Sequence, residues 1–236
     1  MIEIPEQGDD QHGLWADLIA LAEAQKGSWT LIGAQMVALY AWDAGVESRP
    51  SEDADVLANV RMATNATREV TGFLRERGYE PEDSLTDVVH RFMREKAEID
   101  VLAPDGLGPR SDITTIPGRH TIEVPGGSQA LSRTELVSVR SREITGELPR
   151  PNLLGAILIK TRAIEVDDVP DAQRTDVALL LELVEDPDLL RPDVRRSEQS
   201  WLRRHEYFAD PDHPQWLQFE ANDPERVALV YRRLVA

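Results

Sequence analysis

The chain has 236 residues, 41% hydrophobic and 29% charged, which is enough for one large domain or a core domain with a smaller appendage. Its 43 acidic residues against 26 basic ones give a net charge of -17, which argues against broad nonspecific nucleic-acid binding, since that relies on cationic surface. The absence of cysteine excludes disulfides and thiolate chemistry, no apolar run approaches the roughly 18–20 residues that cross a bilayer, and "MIEIPEQGDDQHG" lacks the basic-then-apolar pattern of a secretory signal, so the expected location is cytoplasmic with no membrane contact.

In "HGLWADLIALAEAQKG", Leu14, Leu18, Ile19, Leu21 and Ala22 recur at helical spacing, which predicts a first helix ended by Gly27 and Ser28. "WTLIGA" reads as a short strand closed by Gly33, and "QMVALYAWDAG" as the helix that follows. "RPSEDADVLANV" reads as a second strand, with Pro50 and Ser51 at its entrance. "ATREVTGFLRERGYEP" predicts a helix with Val70, Phe73 and Leu74 on its buried side and Gly78 as a stop. "VVHRFMRE" and "AEIDVLAP" have the pattern of an antiparallel hairpin, and Pro125–Gly126–Gly127 signals a turn within "HTIEVPGGSQALSRTELVSVR". From Asn152 the character changes: "NLLGAILIKTRAI", "DAQRTDVALLLELV" and "PERVALVYRRLVA" read as amphipathic helices. The expected organisation is a mixed α/β half over residues 12–147 and a helical half over 148–236, an α+β chain overall.

The candidate chemistry lies in the order of the acids. Asp53 and Asp55 are two residues apart at the head of a strand, so they share a face with Cα atoms roughly 6–7 Å apart. Like charges held that close repel unless a cation or proton lies between them. Asp100 interrupts the run Ile99, Val101, Leu102 and faces away from Ile99 and Val101. Acids at strand entrances and on open sheet faces are often only solvated. Three carboxylates on adjacent strands can also hold one or two Mg²⁺ ions through oxygen, and two-metal sites clamp the attacking and leaving oxygens of a phosphoryl displacement.

These residues resemble the nucleotidyltransferase-fold superfamily: the Gly33 turn, its helix, the Asp-x-Asp pair and a third Asp on a later strand. The run Arg49-Pro50-Ser51-Glu52-Asp53-Ala54-Asp55 is similar to the Arg-x-Ser-x-Asp-x-Asp run of the AbiEii-type toxins of type IV toxin–antitoxin pairs, which include the MenT-like nucleotidyltransferases. "AILIKTRAI" and "AQRTDVALLL" look like the family's later lysine and aspartate elements, so the resemblance covers about residues 30–185.

The resemblance implies a nucleotidyltransferase-like mixed sheet flanked by helices, with a helical C-terminal region. It implies transfer of a nucleotide from an NTP, with Mg²⁺, to a hydroxyl or phosphate acceptor. RNA such as tRNA is the acceptor that a toxin would use, and a cognate antitoxin protein would be its partner. Asp53, Asp55 and Asp100 would be metal ligands, with Asp100 alternatively a base toward the acceptor. Gly33, Ala34 and Ser51 would line the nucleotide phosphates, Lys160 would place a cation on the triphosphate, and Asp176 would orient Lys160 or the base. Ser51 also reads as a turn residue, Lys160 as a snorkelling helix lysine and Asp176 as an exposed helix acid. The family commonly has Gly-Gly or Gly-Ser where this chain has Gly33-Ala34, and alanine cannot bond a phosphate oxygen through its side chain.

That departure keeps open a catalytically degenerate member that binds nucleotide or protein. The acidic charge keeps open a small-molecule enzyme acting on a polycationic acceptor of the aminoglycoside type. An RNA acceptor would need a positive groove, for which Arg61, Arg68, Arg75 and Arg77, or Arg191, Arg195, Arg196, Arg203 and Arg204, are the candidates; both groups also read as solvated helix faces. His90 lies beside the third acid and reads as a hydrogen-bonding partner, while His12, His120, His205 and His213 lack metal-ligand spacing.

Overall fold

The computed structural model describes residues 1–109 and 111–236, together with the side chains of all of these but Gln218. It divides into two compact units, Met1–Pro151 and Asn152–Ala236.

In the first unit, strand β1 (Ile2–Glu3) leads into helix α1 (Asp9–Ala24), β2 (Trp29–Ile32), α2 (Gly33–Asp43) and β3 (Asp53–Ala58). Helix α3 (Ala66–Glu76), β4 (Glu80–Pro81), β5 (Arg91–Arg94) and β6 (Ala97–Pro104) follow. The unit closes with β7 (Thr114–Ile116), β8 (Arg119–His120), β9 (Glu123–Val124), the short α4 (Gly127–Leu131), β10 (Thr134–Ser141) and β11 (Ile144–Pro151). The main sheet runs in the order β2-β3-β6-β5-β4, with β9 alongside β6. It is mixed: β3 and β6 are parallel, while β2–β3 and β5–β6 are antiparallel. A second sheet joins β1, β10 and β11, and β10 and β11 form a hairpin from Thr134↔Pro151 to Ser141↔Ile144.

The main sheet has two unlike faces. Alternate residues Trp29, Leu31, Ala54, Val56, Phe92, Ile99 and Val101 are all sealed from solvent, as the period-2 alternation of a half-buried sheet requires. Helix α1 packs on β6, α2 on β3, and α3 on both β3 and β6. On α3, Val70 and Leu74 are fully buried, whereas Phe73 is half-exposed beneath the Arg77 guanidinium. The expected first helix is present but ends at Ala24, three residues before Gly27, whose φ of 76° places it in the left-handed region of the turn into β2.

In the second unit, α5 (Leu153–Ala163) is capped by Asn152, whose side chain accepts from the Gly155 backbone N–H at 3.0 Å. Helices α6 (Pro170–Glu182), α7 (Pro187–Leu190), α8 (Arg196–Leu202) and α9 (Pro224–Val235) complete it, with short 3₁₀ turns between. Phe208, Trp216 and Phe219 form an aromatic cluster, with ring centroids 4.8–5.8 Å apart. Among the described residues no helix is long and apolar enough to cross a membrane.

Candidate functional site

The polar face of the main sheet carries the acids. Strand register fixes which of them are neighbours: Asp53 lies opposite Glu98, and Asp55 opposite Asp100, across the parallel β3–β6 pair. On the other side of β6, Arg91 lies opposite Asp100 and Met93 opposite Glu98. Ile32, at the end of β2, lies opposite Asp55. The register therefore draws one transverse row, Ile32–Asp55–Asp100–Arg91, and a second, Asp53–Glu98–Met93, on one face.

Gly33 follows Ile32 directly and opens α2 with a φ of 71°. A Cβ at this position would sit 1.7 Å from Asp55 Oδ2 and 2.7 Å from its Cγ. The glycine is thus required twice, for a backbone conformation that side chains disfavour and for the approach of the Asp55 carboxylate. Ala34 is buried in the first turn of α2. Gln35, also in that turn, donates from Nε2 to the Ser51 backbone oxygen at 2.8 Å, tying the segment before β3 to the helix. The Ser51 hydroxyl donates to Asp53 Oδ1. Asp53 and Asp55 are half-buried.

Asp100 is only 7% exposed, so it is not a solvated acid on an open face. Arg91 holds it with a two-pronged contact, Nε to Oδ1 at 3.1 Å and Nη2 to Oδ2 at 3.1 Å. Arg91 Nη2 also lies 2.7 Å from Glu98 Oε1. Hydrogen bonding to Asp100 raises the Arg91 pKa above its ordinary range, so the guanidinium stays charged. Burial raises the Glu98 pKa; Arg91 opposes that shift, while Asp100 and Asp53 add to it as like charges. His90 Nε2 is 3.9 Å from Asp100 Oδ2, too long for a hydrogen bond.

Arg91 and Glu98 belong to the site without being part of the Asp-x-Asp motif. The signal was available: in a β5–β6 hairpin, Glu98 and Asp100, two residues apart on one strand, and Arg91 opposite Asp100 fall on one face.

An all-oxygen carboxylate pair suits a hard divalent cation such as Mg²⁺. Among the described residues no three histidine, aspartate or glutamate side chains are grouped to hold a metal ion. Asp53 and Asp55, two carboxylates on one strand face with Asp55 packed against the Gly33 turn, fit a Mg²⁺ that takes its remaining ligands from phosphate oxygens and water.

In the second unit the Lys160 ammonium lies 2.8 Å from Asp176 Oδ2 and donates to Gln173 Oε1 at 2.9 Å. Gln173 Nε2 in turn donates to Asp167 Oδ2 at 2.7 Å. The side chains of Lys160 and Asp176 are 4% and 1% exposed, so Lys160 does not snorkel and Asp176 is not an exposed helix acid.

Several arginines considered for a basic groove are engaged locally. Arg61 donates to the Asp105 and Gly106 carbonyls and to Ser128 Oγ, Arg68 pairs with Asp112 at 2.8 Å, and Arg77 with Asp17 at 3.2 Å. Arg204 pairs with Glu165 at 3.1 Å, while Arg191 and Arg203 donate to the Ala236 and Val235 carbonyls.

No family model matches the chain, and no curated protein matches it in sequence. Among solved structures it is similar to an antigenic nucleotidyltransferase-like protein from Paracoccidioides brasiliensis, at 13% identity and a TM-score of 0.50, over 89% of this chain and 94% of that one. The antibiotic-resistance factor ANT(2'')-Ia matches at 16% identity and a TM-score of 0.44, over 84% of this chain and 97% of that one. With the Gly33 turn, the acids of β3 and β6 and the mixed sheet that aligns them, the chain has a nucleotidyltransferase-like α+β fold.

Proposed function

We propose that the chain transfers a nucleotide from an NTP to an acceptor hydroxyl or phosphate. The observation that carries this reading is the placement of Asp53 and Asp55 on one strand face, with Asp55 against the Gly33 turn that opens α2. Asp53 and Asp55 would hold Mg²⁺, and the backbone N–H groups of the turn would meet phosphate oxygens, an interaction that does not need a side chain at Ala34. The bound Mg²⁺ would neutralise the triphosphate charge that builds as the bond to the leaving group breaks. Ser51 keeps Asp53 oriented through its hydroxyl. Asp100, beside Asp55 and held by Arg91, would accept a hydrogen bond from the acceptor hydroxyl and orient it.

The family resemblance favours RNA such as tRNA as the acceptor, with the chain acting as the toxin of a toxin–antitoxin pair. A second reading, a small polycationic acceptor, is favoured by the local engagement of Arg61, Arg68, Arg77 and Arg204 and by the net charge of -17. The test incubates the protein with α-labelled NTPs, Mg²⁺ and either total RNA or an aminoglycoside. Mg²⁺-dependent label transfer that Asp53→Ala abolishes is the expected result, and the labelled acceptor selects between the two readings. No transfer to either acceptor would count against nucleotidyl transfer. In cells, growth arrest on expression is expected of the toxin, and protection from the drug of the small-molecule enzyme.

A further inference from the structure

Strand β2 has its two ends in different surroundings. At Ile32 it meets Asp55 and the Gly33 turn, whereas at Trp29, opposite Ala58, it borders a cavity of about 600 Å³. Trp29 and Ile32 are of opposite parity on the strand, so the Trp29 side chain lies on the face away from Asp55. The cavity is therefore separate from the row of acids, and its volume falls within the roughly 300–1,000 Å³ of small-molecule sites. The C-terminal end of α1, the turn after β3, α4 and the β10–β11 hairpin enclose it with Trp29.

Its lining combines three kinds of group. Trp29, Met62, Leu131, Leu136 and Pro149 give an apolar wall, on which Met62 and Leu136 are exposed. Glu23, Glu135 and Glu147 bring three exposed carboxylates, against Lys26 as the lining cation among the described residues. Glu135 lies 3.6 Å from the Arg150 guanidinium, which leaves Glu23 and Glu147 as the acids facing a ligand. The last turn of α1 carries no basic residue, so the negative end of its dipole adds to their field. Trp29 is 1% exposed, and its Nε1 is buried with no hydrogen-bond partner among the described residues. A buried indole N–H ordinarily finds an acceptor.

We propose that this cavity binds a small organic cation, an amine on an apolar body with a hydroxyl or ether oxygen that accepts from Trp29 Nε1. The ammonium meets Glu23 and Glu147, and the apolar body rests on Trp29, Met62 and Leu131. This second site stands whether or not the acids of the main sheet transfer nucleotides. The test is a ligand-observed NMR titration at low ionic strength with 2-amino-1-phenylethanol as the probe. Phenethylamine lacks its hydroxyl, 2-phenylethanol lacks its charge and 3-phenylpropanoate reverses the charge. The probe is expected to bind with a Kd of about 1 mM or tighter, a modest value for a ligand of its size. Phenethylamine should bind about threefold more weakly and 2-phenylethanol about tenfold more weakly, with no binding of the anion.

Variants then place the binding. Glu23→Gln with Glu147→Gln should weaken the probe about tenfold and leave 2-phenylethanol unchanged. Ala22→Phe puts a ring into the cavity without changing its charge, and should abolish binding of both. Circular dichroism checks that each variant folds, and the charge variants, whose side chains are exposed, decide the question if Ala22→Phe does not. Asp53→Ala and Asp55→Ala should leave probe binding intact. Binding lost with either would put the amine at the acids of the main sheet and overturn the assignment. So would no binding of the probe, equal binding of amine and anion, or an affinity that the folded cavity variants leave unchanged.

Discussion

Replacing Gly33 by alanine tests the geometry on which the site depends. The added Cβ would lie 1.7 Å from Asp55 Oδ2 and 3.0 Å from Asp55 Cβ, at a backbone φ of 71°. An L-residue in the left-handed region costs about 1–2 kcal/mol. Relieving the overlap requires Asp55 to leave its rotamer or β2 and β3 to shift, which adds about 1–3 kcal/mol by analogy with overpacked cores. A total of roughly 2–5 kcal/mol lowers the unfolding temperature of a unit this size by about 4–20 °C. Calorimetry measures this directly, and Asp55→Ala supplies the control. That substitution removes Oδ2 and Cγ but leaves the Cβ contact at 3.0 Å and the φ of Gly33. The cost of Gly33→Ala should therefore fall to about 1–2 kcal/mol in the Asp55→Ala background, a coupling of about 1–3 kcal/mol. If Gly33→Ala costs less than about 0.5 kcal/mol, or the same in both backgrounds, Gly33 does not abut Asp55 as described.

Lys160→Met should destabilise the second unit by about 3–5 kcal/mol in urea unfolding, because it removes the ammonium that lies 2.8 Å from an Asp176 carboxylate only 1% exposed; a change below about 1 kcal/mol would show that the pair is not buried in solution. Stability should also depend on pH through His205, whose pKa is lowered first by burial and further by Arg174, Arg204 and Arg162, with Glu165 opposing. A folded-state pKa below the unfolded value means that the unfolded chain binds the proton more readily. The stability that His205 contributes is then fully present above about pH 6.5 and is lost as pH falls through the folded-state value. His205→Gln should flatten the fall in unfolding temperature between pH 7 and pH 5, and an unchanged slope would remove His205 from that dependence.

Local chemistry explains what could be read in advance. Period-2 alternation puts Asp53 and Asp55 on one face whatever the fold. A glycine between an apolar β-forming run and a helical pattern marks the strand–turn–helix at Trp29–Asp43. The β5–β6 hairpin and helices α5, α6 and α9 are carried by contacts close in sequence, so their patterns are visible in a single window.

Register between distant strands is different. Asp55 meets Asp100 across 45 positions of chain because β3 and β6 pair in parallel, and a slip of one residue would put Val101 beside Asp55 instead. The burial of Leu31, Val56, Ile99 and Val101 on the opposite face sets that register, and no local window contains it. The state of Asp100 was equally hidden. Its sequence neighbours suggested a solvated acid or a metal ligand, whereas the antiparallel pairing of β5 brings Arg91 to both of its oxygens. Lys160 and Asp176 follow the same logic within the second unit, where the packing of α5 on α6 turns two separate charges into one buried pair. The sequence by itself determined which side chains could do the chemistry and which face of their strand they occupy. Tertiary structure alone decided their partners, because partner choice depends on the packing of residues far apart along the chain.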